Sequence, residues 1–215
     1  MISASLPTLS MTDTVFRALQ LMADYHVSHL PVITDDKYIG LVNESELLNV
    51  DDDTNLLEKF QSDFTGLSVN ANVHVVEAAR LVNEYVLSIM PVVDNDANWV
   101  GAITATDLLK YIGRMCGIDQ PGGLIVLELE KTQFSFSQIS KLVETNDAYI
   151  TQLNTQFDKN LGILYVTLKI NKFEISDIVA TFQRYEYSVK YYFGEELYEN
   201  ELKNNYDHLM NYLNI

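Results

Sequence analysis

A chain of 215 residues with 47% apolar side chains can form one large domain or two small ones, each with a buried core. Thirty acidic against fourteen basic residues leave a net charge of −16, a field that repels nucleic acid and anionic membrane, since both call for basic patches. No run approaches the ~18–20 apolar residues of a membrane span, no signal peptide is visible, and Cys116 is the only cysteine; a cytoplasmic location is expected.

Residues 6–48 and 66–109 read as one unit written twice. At an offset of 60, Val15, Ala18, Leu19 and Met22 answer to Val75, Ala78, Ala79 and Val82. Their i, i+3, i+4, i+7 spacing is that of an amphipathic helix's buried face. Thr12 or Asp13 is the expected cap of the first helix and Asn72 that of the second. Ser28-His29-Leu30-Pro31-Val32-Ile33 and Ser88-Ile89-Met90-Pro91-Val92-Val93 are short, β-branched apolar runs, hence buried strands. Turn-formers follow in each copy, Asp35-Asp36-Lys37 and Asn95-Asp96-Ala97-Asn98, and lead into a second strand, so each half carries a hairpin. The second turn is one residue longer, which moves the offset to 61: Gly40 answers to Gly101, Val42 to Ile103, and Leu47-Leu48 to Leu108-Leu109. Each half is helix, strand, turn, strand, helix over about 50 residues, too few to bury enough surface alone, so the copies are expected to pack together. Asp51-Asp52-Asp53 lacks the spacing and glycine of a calcium loop and reads as a solvated linker.

The second copy closes on Gly101-Ala102-Ile103-Thr104-Ala105-Thr106-Asp107, and the first on a faded version, Gly40-Leu41-Val42-Asn43-Glu44-Ser45-Glu46. Two readings of the intact stretch stand side by side. Thr104 followed by Asp107 is close to a helix N-cap with an acid at the third position. A glycine before a strand, hydroxyls at its end and a carboxylate opening a helix also suit a crevice for a small polar ligand.

The duplication, this motif and His26-Val27-Ser28-His29-Leu30-Pro31-Val32 together resemble a pair of CBS domains, a Bateman module, over roughly residues 1–115. The resemblance implies an adenosine-containing ligand in a cleft between the repeats. It implies that Asp107 holds the ribose, that Thr104 and Thr106 meet ribose or phosphate, and that Val27 and Ser28 contact the base. A carboxylate suits a cis-diol because it can accept two charge-assisted hydrogen bonds. AMP, ATP, S-adenosylmethionine and NAD all share that ribose. In the first copy Asn43, Ser45 and Glu46 make a degenerate second site, expected to be weak or empty. Ser88 and Ile89 stand where related members often carry Arg or His for phosphate. His26 and His29 are read as partly exposed helix-end or strand residues, and His74 and His208 receive no role.

Gly113, Gly117, Pro121, Gly122 and Gly123 turn the chain into a different periodicity. A strand over 124–130 puts Ile125, Leu127 and Leu129 on one face, and Phe136, Ile139, Ser140 and Val143 give a helix its apolar side, with Leu142 flanking it. A loose strand over 148–157, a clean alternation of Leu164, Val166, Leu168 and Ile170, a helix through Ile175, Ile178, Val179 and Phe182, and a strand through Val189, Tyr191 and Phe193 complete the order. That βαββαβ order is the ferredoxin-like plan. It resembles an ACT domain, and a CBS pair with an ACT domain occurs in small bacterial proteins such as the acetoin-utilisation accessory family. The glycine that ACT domains often use after the first strand has no counterpart in Lys131-Thr132-Gln133-Phe134-Ser135, so dimerisation is expected of it rather than amino-acid binding. Residues 195–215 read as an amphipathic helix whose tyrosines suit an interface or its own domain equally.

The expected fold class is α+β, with CBS repeat 1 over 1–62, CBS repeat 2 over 63–118, the ACT-like domain over 119–194 and the C-terminal helix over 195–215. No catalytic or metal-binding constellation is visible. The expectation is a non-enzymatic homodimeric sensor whose ligand is AMP, ATP or S-adenosylmethionine, with no nucleic-acid or membrane partner. The competing reading is a structural adaptor that acts through protein contacts alone.

Overall fold

The computed structural model describes residues 6–194, so the helix expected over 195–215 lies outside the described residues. The chain divides between Ile112 and Gly113 into two units, each with its own buried core.

In the first unit α1 (Val15–Tyr25), β1 (His29–Thr34), β2 (Lys37–Asn43) and α2 (Glu44–Leu47) form one copy of the repeat. A 3₁₀ segment, Leu57–Asp63, leads to the other: β3 (Val69–Asn70), α3 (Val75–Glu84), β4 (Ile89–Val93), β5 (Trp99–Thr104) and α4 (Ala105–Met115). The two hairpins are in register with each other. Leu30 lies opposite Val42 and Val32 opposite Gly40; Met90 lies opposite Ile103 and Val92 opposite Gly101. A register shift falls at the same place in both, Val32/Ile33 and Val92/Val93. The first turn is closed by two residues, Asp35 and Asp36, with φ of 48° and 61°, the left-handed pair that a two-residue hairpin needs. The longer second turn is held by Asp94, whose carboxylate accepts the N–H groups of Asp96 at 2.9 Å and Asn98 at 2.8 Å. The parallel strand β3 runs beside β4, and its counterpart in the first copy shrinks to a single bridge, Leu9 to Val32.

Two local expectations are corrected. Thr14, not Thr12 or Asp13, caps α1, its hydroxyl accepting the Arg17 N–H at 3.1 Å; Asp13 caps the preceding turn by accepting the Ser10 N–H at 2.7 Å. His74, not Asn72, caps α3, with Nδ1 accepting the Val76 N–H at 3.3 Å. α2 is a single turn where its counterpart α4 spans 11 residues. Its continuation would set Asp51, Asp52 and Asp53 at the negative end of the helix dipole, whereas α4 has Arg114 in its last turn.

Each copy has a core, and the two cores join. Val15, Ala18, Met22, Leu30 and Val32 are buried in one; Ala78, Ile89, Met90, Val92 and Ala102 are buried in the other, while Leu41 of the first copy belongs to the second copy's core and Val27 packs against both. The hairpins also clasp. Lys37 bridges Asn98, the Trp99 N–H donates to the Asp36 carbonyl at 2.8 Å, and the repeat-related rings of Tyr38 and Trp99 stack at 6.3 Å between centroids. The Tyr38 hydroxyl donates to the Leu67 carbonyl at 2.8 Å, and burial pushes that phenol up from its ordinary value.

The second unit runs β6 (Leu124–Leu129), a 3₁₀ turn, α5 (Phe136–Glu144), β7 (Ile150–Asp158), β8 (Ile163–Ile170), α6 (Ser176–Arg184) and β9 (Ser188–Phe193). Its four strands pair antiparallel in the order β7-β8-β6-β9. The alternation in β8 comes out as read: Leu164, Val166, Leu168 and Ile170 are buried in one core with Ile125 and Leu127 of β6 and the helices' Ile139, Val143, Ile178 and Phe182. On α5 the reading is corrected. Leu142 joins the core, while Phe136 is exposed and the Ser140 hydroxyl donates to Glu144 at 2.8 Å. The apolar stripe is centred on Ile139, Leu142 and Val143, an i, i+3, i+4 set.

Candidate functional site

β5 ends and α4 begins at Thr104, whose hydroxyl makes two bonds to one residue. Oγ1 accepts the Asp107 N–H at 3.0 Å and donates its proton to Asp107 Oδ2 at 2.8 Å. The first bond caps the helix; the second fixes the carboxylate's rotamer. The other oxygen, Oδ1, lies 3.7 Å from Lys110 Nζ, with the two side chains 37% and 66% exposed. Such a long, wet ion pair contributes little, so Oδ1 is held loosely. Capping and ligand binding are thus not alternatives here, because the cap aims a carboxylate that keeps acceptor capacity. Thr106 is exposed, one residue before it. Gly101 has φ 153°, a backbone that side-chain-bearing residues rarely adopt.

The first copy caps differently. Asn43 Oδ1 accepts both the Ser45 N–H at 2.9 Å and the Ser45 hydroxyl at 3.0 Å. Asn43 stands in the place of Thr104, so the hydroxyl that would hold a carboxylate is missing, and Glu46 is exposed. Glu46 borders a cavity of about 20 Å³ beside Phe60 and Phe64, room for a water at most.

Ser28 and Ser88, one residue before β1 and β4, do the same work in their copies: the Ser28 carbonyl accepts the Glu44 N–H and the Ser88 carbonyl the Ala105 N–H, each at 2.9 Å. They also meet each other. The Ser28 N–H donates to Ser88 Oγ at 3.1 Å. His29 Nδ1 lies 3.1 Å from both serine hydroxyls and accepts the Ser88 N–H at 3.2 Å. Ser28 is therefore linked through Ser88 to the opening of α4, next to Thr104. Accepting a backbone N–H requires an unprotonated Nδ1, so His29 is neutral. It is only 6% exposed, and burial pushes its pKa below the ordinary histidine value against the opposing field of Glu44. This corrects the reading of His29 as partly exposed, and a neutral imidazole supplies no charge for a phosphate. His26 is the exposed helix-end residue it was read as.

Sequence reasoning missed the Ser28–Ser88 contact and the bonds of His29 to both. The available signal was the offset itself: a tandem repeat that packs on itself brings equivalent residues, here 28 and 88, together near its pseudo-twofold axis. A groove of about 440 Å³ between α3 and α4 is apolar, with Val82, Leu108 and Leu109 among its walls, and Asp107 does not line it. Among the described residues no group of His, Cys, Asp and Glu could hold a metal ion, and no helix is long and apolar enough to cross a membrane.

The family model for the CBS domain matches residues 1–53 and 64–114. The chain is 29% identical over 104 residues to an inosine-5′-monophosphate dehydrogenase of Methanocaldococcus jannaschii, covering 48% of this chain and 21% of that protein. It is 25% identical over 163 residues to the inosine-5′-monophosphate dehydrogenase of Bacillus subtilis, covering 74% of this chain and 33% of that one. The chain thus spans a fifth to a third of these relatives. Among solved structures, a CBS domain pair/ACT domain protein from Thermotoga maritima is similar at 22% identity and a TM-score of 0.48, over 53% of this chain and 93% of the other. CBSX2 in complex with AMP is similar at 28% identity and a TM-score of 0.43, over 54% and 93%.

Proposed function

The N-terminal half of the chain is a CBS domain pair, and from that premise we propose that it is a non-enzymatic regulatory module binding an adenosine-containing ligand at the second repeat. In this reading Asp107 accepts the ribose hydroxyls, Thr104 and Thr106 meet ribose or phosphate, and Val27 and Ser28 border the base. The observation that carries it is the Thr104–Asp107 pair, which sets a carboxylate in one rotamer and leaves Oδ1 free to exchange a weak lysine contact for a diol. Orientation before binding lowers the entropy that binding must offset. The first repeat has no such pair, which supports a single working site.

The phosphate end is poorly supplied with charge, since Ser88 stands where a base would help and His29 is neutral. With −16 overall, each added phosphate brings repulsion. A thermal-shift panel of adenosine, AMP, ATP and S-adenosylmethionine, run without magnesium, should show stabilisation by at least one adenosine-type ligand, because ligands specific to the native state raise Tm. AMP and ATP should differ in affinity by less than about tenfold, or ~1.4 kcal/mol. A flat panel removes the ligand reading; a large preference for ATP means a cationic site elsewhere.

The second unit is read as an ACT-like dimerising domain, supported by element and strand order rather than by any residue motif. Light scattering at tens of micromolar should return the dimer mass, and a monomer mass ends that assignment.

A further inference from the structure

We propose that His29 is a proton-operated latch between the two repeats, through which ligand affinity at the second repeat falls as the medium becomes acidic. The latch is a property of the fold; its effect on ligand rests on the reading of Asp107 given above.

His29 belongs to β1 of the first copy, yet its three polar contacts at Nδ1 are all with the serine pair that joins the copies. Nδ1 accepts the Ser88 N–H at 3.2 Å and sits 3.1 Å from the hydroxyls of Ser28 and Ser88, while the Ser28 N–H holds Ser88 Oγ at 3.1 Å. With Nδ1 an acceptor, the neutral ring carries its proton on Nε2. A second proton can bind only at Nδ1. That converts the shared acceptor into a donor pointed at a backbone N–H, which is left without a partner in a partly buried place. Hydroxyls can rotate to accept the new N–H; the amide cannot.

The disturbance has a short route to the proposed site. Ser88 uses its carbonyl to hold the Ala105 N–H, one residue past Thr104, and His29 lies opposite Asn43, the residue that begins the first copy's motif. Ionisable groups on the elements around it include Lys37 and Tyr38 on β2, Glu44 and Glu46 on α2, Asp24 and Tyr25 on α1, His26 just after it, and Asp107 and Lys110 on α4. Glu44 is the charge that acts on His29, favouring its protonated form, and burial outweighs it.

The sign follows from the lowered pKa. The unfolded chain takes up a proton near the ordinary histidine value, about 6.5, before the folded chain does. The latch's contribution is therefore complete above about pH 6.5 and is lost as pH falls toward the folded-state value.

The test is calorimetric titration of the full chain with adenosine, which carries no titrating phosphate, at pH 7.5 and pH 5.5, for the parent and for His29→Asn. Asparagine offers a carbonyl oxygen where Nδ1 was and does not titrate. Parent affinity should drop with pH, by at most roughly tenfold per unit below the folded-state pKa, while His29→Asn stays level. Equal pH dependence in the two proteins overturns the latch. If the parent binds no adenosine at either pH, the ligand reading fails, and ligand-free melting decides the latch alone. The parent's Tm must then fall more between pH 7.5 and 5.5 than that of His29→Asn; an equal fall overturns it. Should His29→Asn not fold, NMR on the parent decides: the Ser88 amide must shift with the His29 titration, and an amide that stays in place overturns the proposal.

Discussion

Replacing Asp107 by alanine should weaken adenosine-ligand binding by roughly ten- to a hundredfold and cost little stability. A carboxylate that accepts one or two ribose hydroxyls contributes about 1.5–3 kcal/mol, the range for hydrogen bonds to charged groups, and ~1.4 kcal/mol is a decade in affinity. The fold should survive because Thr104 Oγ1 still accepts the N–H of residue 107 after the change. What α4 loses is an acid in its first turn, worth about 0.3–1 kcal/mol through the helix dipole. Glu46→Ala is the matched control, since Glu46 is exposed and not held by Asn43, and it should leave affinity unchanged. Titration calorimetry and melting curves on the three proteins separate the readings. If Asp107→Ala loses melting temperature and keeps affinity, the motif is a helix cap and nothing more. If the parent binds no adenosine ligand, the adaptor reading takes over.

Gly122→Ala should destabilise the second unit by about 3–5 kcal/mol, a large part of the ~5–15 kcal/mol available to a domain. Two independent costs meet there. φ at Gly122 is 144°, and an added Cβ would stand 1.9 Å from the Ile170 carbonyl oxygen. The obstacle is backbone, and it is pinned: the Ile170 N–H donates to the Gly123 carbonyl and the Gly123 N–H to the Lys172 carbonyl, each at 2.9 Å. Neither partner can retreat without breaking the pairing that seats β6 beside the end of β8. Two other glycines separate the costs. Gly162 has φ 70° but nothing within 4 Å of a Cβ, so Gly162→Ala should cost only the left-handed backbone, about 1–2 kcal/mol. Gly66 has neither problem, and Gly66→Ala should be neutral or stabilising by about 0.5 kcal/mol. Urea melts followed by circular dichroism would rank the three. A Gly122→Ala midpoint equal to that of Gly162→Ala would show that the close approach at Ile170 is absent.

Much of the fold was legible because it is written in short-range periodicity. The 60-residue offset of the first strands, its change to 61 after the longer turn, and the resulting pairs Val32–Gly40 and Val92–Gly101 follow from where glycines, prolines and β-branched residues fall. So does β8, whose side chains have only two faces to occupy. Local signals were weaker at element ends. The caps moved to Thr14 and His74 because a cap is chosen by where the entering chain first lets a side chain reach the second or third N–H, and several polar residues compete for that place. β3 has two residues and no period to detect.

For the site, the sequence by itself determined the asymmetry: Thr104 and Asp107 in one copy, Asn43 and Glu46 in the other. It could not decide whether Thr104 caps or orients, since both roles use the same two residues three apart. Only the tertiary structure decided that one hydroxyl does both, accepting from the Asp107 N–H and donating to its carboxylate. It alone decided that His29 is buried and neutral. Nothing within a few residues of His29 predicts this, because its partner Ser88 is 59 residues away in sequence. The cause is the packing of one copy on the other, which sets equivalent serines face to face and closes their cores over the ring. A pattern with a period of 2 or 3.6 records which face of an element is buried; it carries no record of which partner buries it.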